Sequence, residues 1–161
     1  MTRLMSHVTV VDTTRFLAGP FCTQLLGDLG AEVIKVEPPG GSPNRDTHPA
    51  QRGVGSTFLS RNRNKKSVVL NLKSEEGTVL FEELVADADV LVENFSLGVM
   101  ERLGLGYDYL AREVNPELVY ASMKAYGEGG PSKEKKGVDP MMQAEAEVLE
   151  EDVGVSHQLL E

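Results

Sequence analysis

Few residues of this chain combine a reactive type with a suggestive setting. Asp139 stands in KKGVDPMMQ, residues 135–143, directly after a basic, glycine-containing turn. A carboxylate so placed has the chemistry of a nucleophile or of an ion-pair partner. Arg61, Arg63, Lys65 and Lys66 form the densest basic run. Four cations interleaved with asparagine and without aromatics suit phosphate oxygens better than nucleic-acid bases. The single cysteine, Cys22, excludes an intrachain disulfide and a Cys-cluster zinc site. Within its apolar helical pattern it reads as an inert core thiol. His7, His48 and His157 fall in no motif and read as surface side chains, so neither histidine catalysis nor a metal site is expected.

A strand, a Gly-marked turn, a helix, a second strand and then Glu37 invite a dinucleotide-binding reading. That fingerprint needs G-x-G-x-x-G in the first turn, where backbone must approach the pyrophosphate. The turn here is LAGPFC, with one glycine followed by proline, and the P-loop pattern is absent.

The elements that would position these residues follow from punctuation and periodicity. Strands are expected at 8–12, 31–37, 67–72, 89–94 and 118–123. GPFCTQLLGDLG reads as a helix with Phe21, Leu25, Leu26 and Leu29 as its apolar positions and Gly30 as its end. KSEEGTVLFEELVADA reads as a second helix, capped by Ser74, with Val79, Leu80, Leu84 and Val85 as its apolar positions. Two shorter helical stretches are expected around 97–103 and 107–113. Short apolar strands separated by helices predict an α/β fold: a Rossmann-like parallel sheet covered on both faces. Ligands of such sheets bind beyond the carboxyl ends of the strands, which singles out the loops at 13–20, 37–55 and 93–98.

With 161 residues, 40% hydrophobic and 25% charged, the chain has the composition of a soluble globular domain. No run approaches the ~18 apolar residues that span a bilayer, and the first residues lack a secretory signal. The reading is cytoplasmic, with neither membrane nor nucleic acid as partner. Residues 140–161 carry six acids and no Lys or Arg, so −6 of the net −9 belongs to the tail.

Four blocks resemble a known family in order: VVDTTRFLAGPFCTQLLGDLGAEVIKVEPPGG, RNRNKKSVVLNLKSEEG, ADVLVENFSLGVMERLGLGYDYL and NPELVYASMKAYGEGGP. They are similar to the N-terminal part of the family III CoA-transferases (CaiB/BaiF type). That family includes formyl-CoA transferase, carnitine CoA-transferase and α-methylacyl-CoA racemase. The resemblance implies coenzyme A, as acyl-CoA, for substrate and an interlocked dimer of two chains. It also implies transfer of CoA between carboxylic acids through an aspartyl anhydride and thioester. Carried over position by position, the coenzyme A contacts are Phe16, Leu17 and Ala18 in the first turn, then Leu70 and Lys73 after the third strand. Asn94 and Phe95 follow the fourth strand, and Arg102, Lys124 and Lys136 supply charge near the phosphates. By residue type alone Leu70 and Phe95 read as core, and Lys124 and Lys136 as solvated charges. The resemblance also puts one or two of the cations at 61–66 near the same site. Two departures weaken the match to the ligand: Pro38 stands where many relatives carry Arg, and Leu17 where they often carry a polar residue.

The resemblance runs to about Gln143, which divides the chain into residues 1–143, the N-terminal portion of the family's large domain, and 144–161, a divergent acidic tail. In the family the nucleophilic Asp lies beyond the position of Asp139, in a D-x-x-x-G motif that this sequence does not contain. Asp139 is then an acid near the active site, with no catalytic residue assigned. Val138 replaces the His of the racemase G-H-D sequence, which disfavours racemisation. The expectation is a CoA-binding portion that is truncated and inactive alone. The alternatives are one part of a split enzyme completed by another chain, or a non-catalytic CoA-binding or interaction module.

Overall fold

The computed structural model describes residues 4–137. Two compact units divide between Met123 and Lys124. Among the described residues the first holds the strands and α-helices: β1 (Thr9–Asp12), α1 (Ala18–Asp28), β2 (Glu32–Glu37), a short hairpin β3 (Ala50–Gln51) and β4 (Val54–Gly55), α2 (Ser56–Arg61), β5 (Lys65–Val69), α3 (Glu75–Ala86), β6 (Val90–Glu93), α4 (Val99–Arg102), α5 (Tyr107–Tyr109) and β7 (Val119–Ser122), with a 3-10 turn at Pro43–Asp46. A π-helical turn, Leu110–Val114, continues α5.

Five strands pair in the order β5-β2-β1-β6-β7, and every pairing is parallel. The chain thus starts in the middle, winds outward to β5, then returns to lay β6 on the other side of β1. Strand order reverses between β1 and β6, and that is where a doubly wound sheet opens its binding crevice. Both faces are covered, as the alternation of side chains along β1 and β6 shows. Val11 and Leu91 join one apolar cluster with Phe81 and Val85 of α3, Met100 of α4 and Leu110. Val10 and Val92 join the other, against Leu26 of α1. The parallel α/β sheet expected from the sequence is present.

α3 follows the expected rules at its N-terminus. Ser74 Oγ accepts from the Gly77 N–H at 3.2 Å, and Glu75 and Glu76 sit in the first turn against the positive end of the helix dipole. It buries Gly77, Phe81 and Val85, leaving Val79 and Leu80 half exposed.

α1 is a helix as expected, but it presents the opposite face. Gly19, Pro20, Thr23, Gln24 and Gly27 are buried, while Phe21, Leu25 and Leu29 are each nearly half exposed. Of the four expected apolar contacts only Leu26 packs inward. Cys22 is exposed, which corrects its reading as a core thiol. The cause is the sheet beneath. Asp12 ends β1 there and the ammonium of Lys65 reaches it, so the helix must turn hydroxyl and carbonyl oxygens toward the pair. A Cβ at Gly19 would collide with the Thr14 side chain, so the close approach of helix to loop depends on glycine there.

The described part of the second unit is a series of turns. Lys135 Nζ lies 5.7 Å from the ring centroid of Tyr126. No helix among the described residues is long and apolar enough to cross a membrane.

Candidate functional site

Two loops meet at the reversal of strand order: 13–17 after β1, and 94–98 after β6. Asn94 joins them. Its Oδ1 accepts from the Arg15 N–H at 2.8 Å, and its Nδ2 donates to the Arg15 carbonyl at 2.8 Å. The Arg15 guanidinium lies over the Phe95 ring, 4.9 Å from its centroid. Burial pulls its pKa below the usual arginine value.

Three consecutive carbonyls of the first loop are held by side chains from three different places. Lys35 Nζ donates to Thr14 O at 2.8 Å, Asn94 Nδ2 to Arg15 O, and Asn44 Nδ2 to Phe16 O at 2.9 Å. Phe16 itself has φ +65°. That conformation strains a residue with a bulky side chain and persists only where the surroundings over-determine it. The loop then enters α1 at Leu17, which provides no side-chain cap for the first amides of the helix.

A buried polar cluster supports this loop from below. Asp12 is fully buried and accepts from the Thr14 N–H at 2.8 Å, Thr14 Oγ1 at 2.5 Å and Thr23 Oγ1 at 2.7 Å. Lys65 Nζ lies 2.8 Å from Asp12 Oδ2, 2.8 Å from Pro20 O, 2.8 Å from Thr23 Oγ1 and 3.0 Å from Asn62 Oδ1. Lys35 Nζ stands 3.8 Å from the same Asp12 oxygen. Burial alone would push the Asp12 carboxyl up, but the two lysines hold it below the ordinary range. Burial pulls both lysines down, opposed by Asp12.

Glu37 closes β2 and organises the loop after it. Its carboxylate accepts from the Ser42 N–H at 2.8 Å, Arg45 Nε at 2.7 Å, Arg45 Nη2 at 2.6 Å and Ser67 Oγ at 2.6 Å. Burial works against the charge, yet these bonds lower the Glu37 pKa to about 2. Arg45 also lies over Phe58, 4.0 Å from the ring centroid. A carboxylate spent in this way is not offered to a ribose hydroxyl, a second mark against the dinucleotide reading.

The sequence-derived contacts are distributed unevenly over this frame. Phe16, Leu17 and Ala18 form the first loop and the start of α1; Asn94 and Phe95 form the second loop. The clamp brings these five together. The Asn94 amide is engaged by Arg15, so it holds the two loops before it meets any ligand. Leu70 follows β5, its side chain in the apolar core and its N–H bonded to Glu37 O at 2.9 Å. Lys73 is exposed beyond it, and Arg102 is exposed at the end of α4. Neither forms an ion pair among the described residues. Lys124 and Lys136 belong to the second unit. Asp139 lies outside the described residues.

The basic run at 61–66 is mostly consumed within the fold. Arg63 Nη2 pairs with Asp28 at 2.5 Å, Lys66 with Glu32 at 2.6 Å, and Lys65 with buried Asp12. Among the described residues no group of three or more His, Cys, Asp and Glu side chains gathers to hold a metal.

The model of CoA-transferase family III matches residues 5–151. The chain belongs to this family. It is 47% identical over 142 residues to the human succinyl-CoA:glutarate CoA-transferase, covering 87% of this chain and 32% of that protein. It is 44% identical over 135 residues to the beta subunit of succinyl-CoA–L-malate CoA-transferase from Chloroflexus aurantiacus, covering 83% of this chain and 33% of the subunit. The crystal structure of a CAIB/BAIF family protein from Brucella suis superposes with a TM-score of 0.81 at 42% identity, over 86% of this chain and 38% of that one. The chain thus spans about a third of the length of these relatives.

The CoA-transferase family uses CoA thioesters as substrates. The described residues fit such a group in three respects: an exposed, strained loop backbone at the strand-order reversal, a half-buried arginine on an aromatic ring, and exposed cations free of carboxylates at Lys73 and Arg102. Sequence reasoning missed Arg15, Lys35 and Asn44. The available signal for Lys35 was its place in VIKVE, a lysine flanked by β-branched residues in a strand covered on both faces.

Proposed function

We propose that this chain forms the coenzyme A-binding portion of an acyl-CoA:carboxylate CoA-transferase. The observation that carries the reading is the clamp of the β1 and β6 loops by Arg15 and Asn94 at the strand-order reversal, in a chain of family III. Coenzyme A lies along Phe16, Leu17 and Ala18, with Phe95 beside Arg15. Lys73 and Arg102 meet its phosphates through charge-assisted bonds. Leu70 contributes shape from the core side rather than a polar contact.

The acyl-carrying nucleophile comes from elsewhere than the described carboxylates at this site. Asp12 is buried under two lysines, Glu37 is bound bidentately by Arg45, and Glu93 is buried with its Oε2 accepting the Phe95 N–H at 2.7 Å. A carboxylate so engaged lacks the freedom to attack a thioester. We read the chain as depending on a complementing chain for the chemistry, in an interlocked dimer. Among the relatives, one enzyme is named by an alpha and a beta subunit, and this chain matches about a third of each. The setting is the cytoplasm.

Titrating the 15N-labelled chain with coenzyme A tests the placement. Amide shifts concentrated at Arg15–Ala18 and at Asn94–Phe95 are expected. Saturable shifts confined to other segments would place the ligand elsewhere and refute this site.

A further inference from the structure

We propose that Lys35 is a positioning residue of the coenzyme A loop, its buried ammonium holding the Thr14 carbonyl and thereby fixing the path of the chain through Phe16. The proposal rests on the coenzyme A reading above and adds to it a residue that touches no ligand.

Lys35 is 1% exposed, in the strand next to β1. Lysine is almost never fully buried without a partner that needs its charge. Simple filling of the sheet would be better served by an apolar side chain of similar volume. The neutralisation of Asp12 does not call for Lys35 either: Lys65 already lies 2.8 Å from Asp12 Oδ2, whereas Lys35 stands 3.8 Å away. The short bond of the Lys35 ammonium runs to Thr14 O at 2.8 Å, the first of the three tethered carbonyls that precede α1. The other two tethers, from Asn94 and Asn44, fix Arg15 and Phe16 in the same sense. Together they hold the left-handed turn at Phe16, a conformation that would relax in an untethered loop. Two lysines against one aspartate also leave positive charge directly beneath a loop assigned to an anionic ligand.

Lys35→Met keeps the aliphatic stem and removes charge and donors; Lys35→Arg keeps both. In the full 161-residue chain, two readouts separate positioning from mere stability. One is hydrogen exchange of the Thr14 and Arg15 amides, whose N–H groups bond Asp12 Oδ1 and Asn94 Oδ1. The other is coenzyme A affinity, measured well below the unfolding midpoint of each variant. In Lys35→Met both amides are expected to exchange at least tenfold faster, and affinity to fall about tenfold. Lys35→Arg is expected to restore most of both. A lower unfolding midpoint with unchanged loop exchange and unchanged affinity would overturn the proposal. If the unaltered chain binds no coenzyme A, the functional reading fails, and the exchange comparison alone decides the role of Lys35. Should Lys35→Met not fold, the Lys35 15Nζ resonance of the unaltered chain decides: a shift on adding coenzyme A supports positioning, and an unmoved resonance while coenzyme A binds refutes it.

Discussion

Arg15 and Asn94, 79 positions apart in sequence, bond each other twice: backbone N–H to Oδ1 and Nδ2 to backbone carbonyl, both at 2.8 Å. A side-chain amide can satisfy both backbone groups of one residue only when the two loops are held in register. Strand pairing of β1 with β6, Val10 opposite Val90 through Asp12 opposite Val92, supplies that register. The clamp therefore converts sheet geometry into a defined mouth at the strand-order reversal. Asn94→Ala removes both bonds and leaves the Arg15 amide and carbonyl half-buried without partners. A loss of about 1–3 kcal/mol is expected in urea unfolding, together with about tenfold weaker coenzyme A binding. Asn94→Asp keeps the acceptor but sets a carboxylate oxygen against the Arg15 carbonyl, so it is not expected to rescue the loss.

The carboxylate of Glu37 sets an acid limit on stability. Its pKa is about 2 in the fold, against an ordinary value of 4.5. The depressed value means that the charged form is the one the fold stabilises. That contribution is complete above pH 4.5, diminishes as protons bind below it, and is gone once the pH has fallen through about 2. It amounts to up to about 3 kcal/mol. Asp12, also held low, acts with the same sign. Urea midpoints measured between pH 7 and pH 2 should fall along this course, and Glu37→Gln should start lower and flatten it.

The reversed face of α1 predicts opposite outcomes for an apolar and a polar position on the same helix. Leu25, nearly half exposed, is expected to tolerate Gln within about 0.5 kcal/mol. Thr23→Val, though nearly isosteric, removes a hydroxyl shared by Asp12 and Lys65 and should cost about 1–3 kcal/mol. Thermal midpoints of the two variants give the order directly. A native-state thiol titration should find Cys22 accessible without denaturant.

Because the described carboxylates at the site are engaged, the purified chain is expected to move no CoA between carboxylic acids. An assay with succinyl-CoA and a dicarboxylate acceptor measures this. Turnover, with a hydroxylamine-sensitive aspartyl thioester on this chain, would show that it supplies its own nucleophile.

The five strands of the parallel sheet were legible in the sequence because β-branched runs such as TVVD and DVLVEN mark strands wherever they are buried on both faces, whereas the short hairpin at Ala50–Gln51 and Val54–Gly55 falls in a segment read as loop. Ser74 and the acids after it marked the start of α3 for a local reason, and the structure repeats it. What stayed hidden was non-local. Helical periodicity assigns the apolar stripe inward, yet α1 meets Asp12 and Lys65, contributed from 53 positions apart, and turns its polar side to them. The third strand was expected at 67–72 but runs from Lys65 to Val69. Lys65 pairs with Val33 of β2 while its ammonium reaches Asp12, so a lysine opens a strand that composition alone starts later. The loop contacts at Phe16–Ala18 and Asn94–Phe95 were named from the resemblance. The residues that hold those loops, Arg15, Lys35 and Asn44, depend on contacts between distant segments.

Calorimetric titration of the folded chain with coenzyme A, beside a parallel titration with NADH, tests the central claim most directly. Saturable heat with coenzyme A and none with NADH is the predicted result. No binding of coenzyme A by a chain whose circular dichroism shows the native α/β fold would contradict it.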